Sequence, residues 1–146
     1  MYERRIIVFA IAVVLAATFS LFGCVSSGPQ FTKPEAPLSG QSIVYFYRAN
    51  KFITNSTSPT IIHNDKKVLS RIVSGGFWKY YITPGDHVFK PQQFGLFKKD
   101  ILTLTNDKPG KTYYIEMVVN IGYIGLQSRS ESVGRAGISE CYELNN

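Results

Sequence analysis

"GGFWKYYITPGDHVFK", residues 75–90, sets β-branched and aromatic residues on both sides of Pro84-Gly85. Proline presets φ at the second position of a tight turn and glycine supplies the positive φ that the third position needs. The stretch therefore reads as two strands with a turn between them. Working outward, "DILTLTNDKPGKTYYIEMVVN" (100–120) repeats the device with Pro109-Gly110. "PTIIHNDKKVLSRIV" (59–73) places two short strands around Asn64-Asp65, residue types that tolerate positive φ in a hairpin. "SIVYFYR" (42–48) is apolar on both alternating faces, the pattern of a central strand covered on both sides. "GYIGLQSRSE" (122–131) supplies a last strand. Turn signals this regular, with almost no helical period, predict an all-β chain folded as a single antiparallel β-sandwich. In the tail "SVGRAGISECYELNN" (132–146), Val133, Ile138, Cys141 and Leu144 approximate helical spacing while Gly134 and Gly137 oppose it. A short C-terminal helix and an irregular tail both remain open.

Phe77, Trp78, Tyr80, Tyr81, Tyr113 and Tyr114 come as adjacent pairs. Neighbouring strand residues point to opposite faces, so half of them lie away from the sandwich core unless a helix or the N-terminal segment covers them. Cross-strand pairing beneath such a cover is the simpler arrangement, and stacking on sugar rings is the functional one. Trp78 is the candidate binding aromatic. Arg48, at the end of the central strand, either binds an anionic ligand or pairs with Glu116 or another local acid.

These segments carry a resemblance. "YFYR" (45–48), the hairpin at Asn64-Asp65-Lys66, "PGDH" (84–87) and "GKTYY" (110–114) occur in the order seen in DUF2846, a domain of unknown function of small bacterial lipoproteins. The likeness covers residues 42–131. It departs at Ala49, where that family often has proline, and at Asp65-Lys66, which lacks an intervening glycine. The resemblance implies a compact sandwich with an immunoglobulin-like or transthyretin-like look, and brings no known activity with it.

Ahead of the domain, Arg4 and Arg5 precede "IIVFAIAVVLAATFSLF" (6–22), 17 residues without a charge. This is the layout of a signal peptide's basic and apolar regions. As a helix the run would reach about 25 Å at ~1.5 Å per residue, short of a ~30 Å hydrocarbon core. It ends in "LFGC" (21–24), which resembles the lipobox of bacterial lipoproteins: aliphatic, variable, small, then the cysteine whose thiol forms the thioether to diacylglycerol. Residues 1–23 are thus expected to be a lipoprotein signal peptide and Cys24 the acylated N-terminus, placing the protein in the bacterial cell envelope. Val25 after the cysteine, rather than aspartate, favours the outer membrane, facing the periplasm. Residues 24–40, with three prolines, two glycines and three serines after the cysteine, read as a flexible tether to a β-sandwich over 41–146.

The chain of 146 residues carries a formal charge of +6, which falls to +5 without the signal peptide. Its lysines are spread from Lys33 to Lys111 with no run or helix face, so the charge reads as solvated surface. An exported protein has no expected nucleic-acid partner. With Cys24 acylated, Cys141 has no intrachain partner, which leaves a buried small hydrophobe or an intermolecular disulfide.

Little points to catalysis or to a cofactor. His63 and His87 sit near Asp65 and Asp86, but no spacing like that of zinc sites accompanies them, and turn hydrogen bonding accounts for both acids. Ser70, Ser74 and Ser128 lack a nucleophile elbow. "GKT" (110–112) lacks the first glycine of a phosphate loop and precedes a strand. The expectation is a non-enzymatic module that binds or scaffolds an envelope protein, cell-wall material or lipid, with a glycan- or small-ligand-binding sandwich using Trp78 and Arg48 as the other reading. The loop "KPQQFGLFKKD" (90–100) is the expected contact surface: Phe94, Leu96 and Phe97 would enter a partner or headgroup layer while Lys98 and Lys99 stay at its rim, or else plug the core's open end.

Overall fold

The computed structural model describes residues 28–51, 57–69, 71–93, 95 and 98–145. The predicted leader, Cys24 and the loop residues Phe94, Leu96 and Phe97 lie outside the described residues. Ten strands and one helix follow in the order β1 (Ser42–Arg48), β2 (Thr60–His63), β3 (Lys66–Leu69), β4 (Gly76–Ile82), β5 (Gly85–Gln92), β6 (Lys98–Asp100), β7 (Leu102–Asn106), β8 (Thr112–Asn120), β9 (Tyr123–Arg129), α1 (Glu131–Ile138) and β10 (Tyr142–Glu143). They form a six-stranded sheet, β10-β4-β1-β8-β9-β6, and a four-stranded sheet, β3-β2-β5-β7. The described residues are thus mostly β and sandwich-like, with one short helix among them. The hairpin at Asn64-Asp65 forms as expected: both residues have positive φ, 45° and 66°, and Asn64 Oδ1 accepts from the Val88 amide at 2.9 Å.

Two expectations need correction. The sandwich is not purely antiparallel: β1 pairs with β8, β4 with β10 and β6 with β9 in parallel. The Pro84-Gly85 and Pro109-Gly110 turns do not close hairpins either. Each carries the chain from one sheet to the other, from β4 to β5 and from β7 to β8. A crossing strand enters its new sheet beside a strand distant in sequence, and so parallel pairing arises where a hairpin would have forced the antiparallel sense.

Period-two alternation along β1 feeds two cores. Val44 and Phe46 point between the sheets, where they meet Ile61 and Leu69 of the second sheet, Phe89 of β5 and Ile115 and Met117 of β8. Ile43, Tyr45 and Tyr47 point the other way and are equally buried, with Phe77, Tyr114, Ile138, Cys141 and Phe31. That second core explains why β1 is apolar on both faces. Its cover is α1, β10 and the segment that begins at Gly28.

This cover revises the tether. Phe31 is buried, edge-on to Tyr45 and Phe77 at ring separations of 5.4 and 5.5 Å. Its amide donates to the Cys141 carbonyl at 2.9 Å, and the Glu143 amide donates to Pro29 at 2.9 Å. Lys79 then ties Glu35 at 2.7 Å to Glu143 at 3.0 Å, clamping both chain ends over the sheet. From residue 28 onward the segment is a strap. Proline and glycine content read as flexibility because the cover was not visible: one phenylalanine with a waiting aromatic slot is enough to fix it. α1 completes the layer through close approach. A Cβ added at Gly134 would lie 2.3 Å from Tyr114 Cβ, so the glycine that weakened the helical reading is what lets the helix lie on the sheet.

Candidate anion-binding site

The second sheet leaves a solvent-open cavity of about 410 Å³ at one end of the sandwich, lined by Ser58, Thr60, Lys67, Arg71, Gln92, Gln93 and Lys99. Register builds it. Thr60 opens β2 directly opposite Gln92 at the close of β5, which brings a hydroxyl and an amide together. β3 returns beside β2 and carries Lys67. Arg71 follows in the exit from β3, and β6 adds Lys99.

The charge balance of this lining is one-sided. Five cations outside it have acids, Lys79 with Glu35 and Glu143, Lys90 with Asp65, Lys111 with Asp107, Arg129 with Glu116 and Arg135 with Glu131, while Lys33, Lys51, Lys66, Lys98 and Lys108 make no ion pair among the described residues. Among the described residues, Lys67, Arg71 and Lys99 make no ion pair and no carboxylate lines the cavity. Three cations with amide and hydroxyl donors around one cavity are suited to an anion. Charge-assisted hydrogen bonds to it are about twice as strong as neutral ones, and a guanidinium can grip two oxygens at once. At about 410 Å³ the space lies near the lower end of the ~300–1,000 Å³ typical of small-ligand sites, more than a bare oxyanion fills.

Of the residues expected from sequence, Lys99 is brought to this site and exposed Lys98 lies beside it on β6. Trp78 is not a surface platform. It is half-buried against the inter-sheet core, stacked on Phe46 at 6.1 Å and Tyr80 at 5.0 Å. Arg48 is only 2% exposed and is no ligand-reading group. Its Nη1 donates to the Ile72 carbonyl at 3.2 Å and to the Thr57 carbonyl, tying the loop before β2 to the exit of β3, while Glu116 takes Arg129 at 2.8 Å instead. Burial pulls its guanidinium below the ordinary range. Cys141 is 1% exposed, and burial pushes its thiol up to about 12, the behaviour of a small core residue. Lys67, Arg71 and the two glutamines were not singled out from sequence. The signal available was that no acid occurs between Asp65 and Asp86, a span that holds Lys66, Lys67, Arg71 and Lys79. Which of those cations share a cavity depends on β5 and β6, which sequence spacing does not reveal.

The two histidines meet between the sheets. His87 Nε2 donates to the Thr83 carbonyl at 2.9 Å, so its Nδ1 must accept. His63 Nε2 therefore donates to it at 2.8 Å, and His63 Nδ1 accepts from the Tyr80 hydroxyl at 2.9 Å. The neutral chain has one consistent direction, and it joins β4 of one sheet to β2 and β5 of the other. Asp65 and Asp86 are engaged elsewhere, with Lys90 and with Thr105, each at 2.7 Å. Among the described residues no cluster of metal-ligating side chains forms.

Burial first, and His87 second, hold His63 below its usual pKa. The unfolded chain then binds the proton first as pH falls below about 6.5, so stability present above that value is lost on acidification. The melting midpoint of the full chain is expected to decline below about pH 6.5. His63→Gln should flatten that decline, and a variant with the wild-type slope would exclude His63 as its source.

Compared with protein families, with curated proteins and with solved structures, the chain finds no match.

Proposed function

We propose that this chain is an envelope lipoprotein, held by acyl chains on Cys24 at the periplasmic face of the outer membrane, whose sandwich is a non-enzymatic binding module for an anionic ligand. The observation that carries the binding role is the cavity where Lys67, Arg71 and Lys99 converge without a carboxylate. Binding rather than catalysis fits that lining: among the described residues it offers cations, amides and hydroxyls but no imidazole or carboxylate to move a proton. The anchor rests on "LFGC" and the apolar run before it. Kinship with the DUF2846 lipoproteins, and an immunoglobulin-like or transthyretin-like sandwich, rest on the ordered motifs and on two sheets enclosing one core.

Two experiments test the two halves. Cys24→Ala is expected to abolish palmitate labelling and leave uncleaved precursor in the inner membrane, whereas normal cleavage to a soluble periplasmic product would contradict the anchor. For the site, the acylated full chain in neutral detergent is titrated with inorganic phosphate and with a hexose monophosphate. Saturable binding should weaken about tenfold in Lys67→Ser and again in Arg71→Ser, since one charge-assisted contact at an exposed site contributes on the order of 1.4 kcal/mol. Equal affinity in wild type and variants would remove the cavity as the site.

A further inference from the structure

Building on the reading of the cavity as an anion site on a protein acylated at Cys24, we infer that the cavity faces the bilayer that carries the protein's own anchor and takes the phosphate-bearing headgroups of anionic phospholipid in that membrane.

Strand directions supply the argument. β1 runs from Ser42 to Arg48, and its Arg48 end collects the relevant groups. Arg48 pairs with Gly76, Gly76 pairs with Tyr142, and Gly28 packs on the backbone of Glu143, so close that a Cβ at Gly28 would lie 2.4 Å from the Glu143 carbonyl oxygen. The first described residue is therefore at this end. Arg48 also holds the carbonyls of Thr57 and Ile72, which puts Ser58, Thr60 and Arg71 here, and Thr60 brings Gln92. β8 runs parallel to β1, so its turn into β9 and the start of β6 point the same way; the Lys98 amide donates to Gly122 at 2.9 Å. That turn presents Ile121, 89% exposed. The other end holds Ser42, Gly85 and Gly110, as the Gly110 amide donates to Gln41 and Ser42 bonds Asn106, the partner of Gly85.

Gly28 is four residue steps from Cys24, a reach of at most about 14 Å at ~3.6 Å per residue. Because Phe31 docks the strap, the slack of a longer tether is absent, and the acylated terminus keeps the Arg48 end at the headgroup layer. An exposed isoleucine at the tip with cations behind it is the order of chemistry that a headgroup layer accepts: apolar tip inward, ammonium and guanidinium at phosphate depth.

The test uses the acylated full chain in vesicles of phosphatidylcholine with and without phosphatidylglycerol. A fluorescent label is placed at Ile121→Cys or, at the opposite end, Lys108→Cys; Cys24 is acylated and Cys141 is buried, so labelling is specific. A quencher carried on lipid is expected to reach the label at 121 and not that at 108. Quenching at 121 should fall severalfold without phosphatidylglycerol, and in the double variant Lys67→Ser, Arg71→Ser. An unquenched label at 121, quenching at 108 in its place, or quenching at 121 that ignores both lipid charge and the double variant would overturn the inference. If inorganic phosphate still binds in a Lys67- and Arg71-dependent manner after such a result, the anion site stands and only its membrane source falls. If phosphate does not bind either, both fall.

Discussion

Phe31→Ala is expected to lower the unfolding free energy of the full chain by about 3–5 kcal/mol, the usual cost of truncating a buried phenylalanine. The ring fills a slot between Tyr45 and Phe77, and no neighbour in the second core is free to replace it. Loss of the ring also loosens the strap's hydrogen bonds to Cys141 and Glu143, and with them the cover over the outer aromatics of the six-stranded sheet. Urea unfolding of wild type and variant gives the difference directly. A change within ~0.5 kcal/mol, the scale of ordinary surface substitutions, would mean that the segment is a tether after all.

Arg48→Met is expected to cost about 2–4 kcal/mol. Two carbonyls lose their donor, that of Ile72 at a buried position and that of Thr57 at a half-buried one, and an unsatisfied buried group costs about 1–3 kcal/mol. Relief from holding a cation in the interior offsets part of that. Arg48→Lys should fall between, because one ammonium has protons for both carbonyls that Nη1 now serves, but the shorter side chain has to carry it to that point. Since the two carbonyls belong to segments that flank the cavity, the Met variant should also weaken anion binding although Arg48 does not line it. Wild-type stability in Arg48→Met would show that the guanidinium is not what joins these segments.

Local chemistry was legible where a few adjacent residues decide the outcome. The Asn64-Asp65 hairpin follows from two residues that accept positive φ, and the double-sided burial of β1 follows from an unbroken apolar run. What escaped was the destination of each turn. Pro84-Gly85 specifies a change of direction but not whether β5 returns beside β4 or crosses to the facing sheet, and that choice is made by packing between residues far apart. The same limit hid the site. Lys67 and Lys99 are 32 positions apart and meet only because β3, β2, β5 and β6 converge at one end. Arg48 was visible as a charged residue closing an apolar strand, but an anion and a pair of carbonyls make the same demand for a cation, and sequence cannot separate them.

The most direct test of the central claim is to map amide chemical shifts of the full acylated chain in neutral detergent as inorganic phosphate is added. The account predicts saturable perturbations at Ser58, Thr60, Lys67, Arg71, Gln92, Gln93 and Lys99, with Gly85 and Gly110 at the far end unmoved. Shifts absent from these residues, or spread evenly over lysines across the surface, would contradict it.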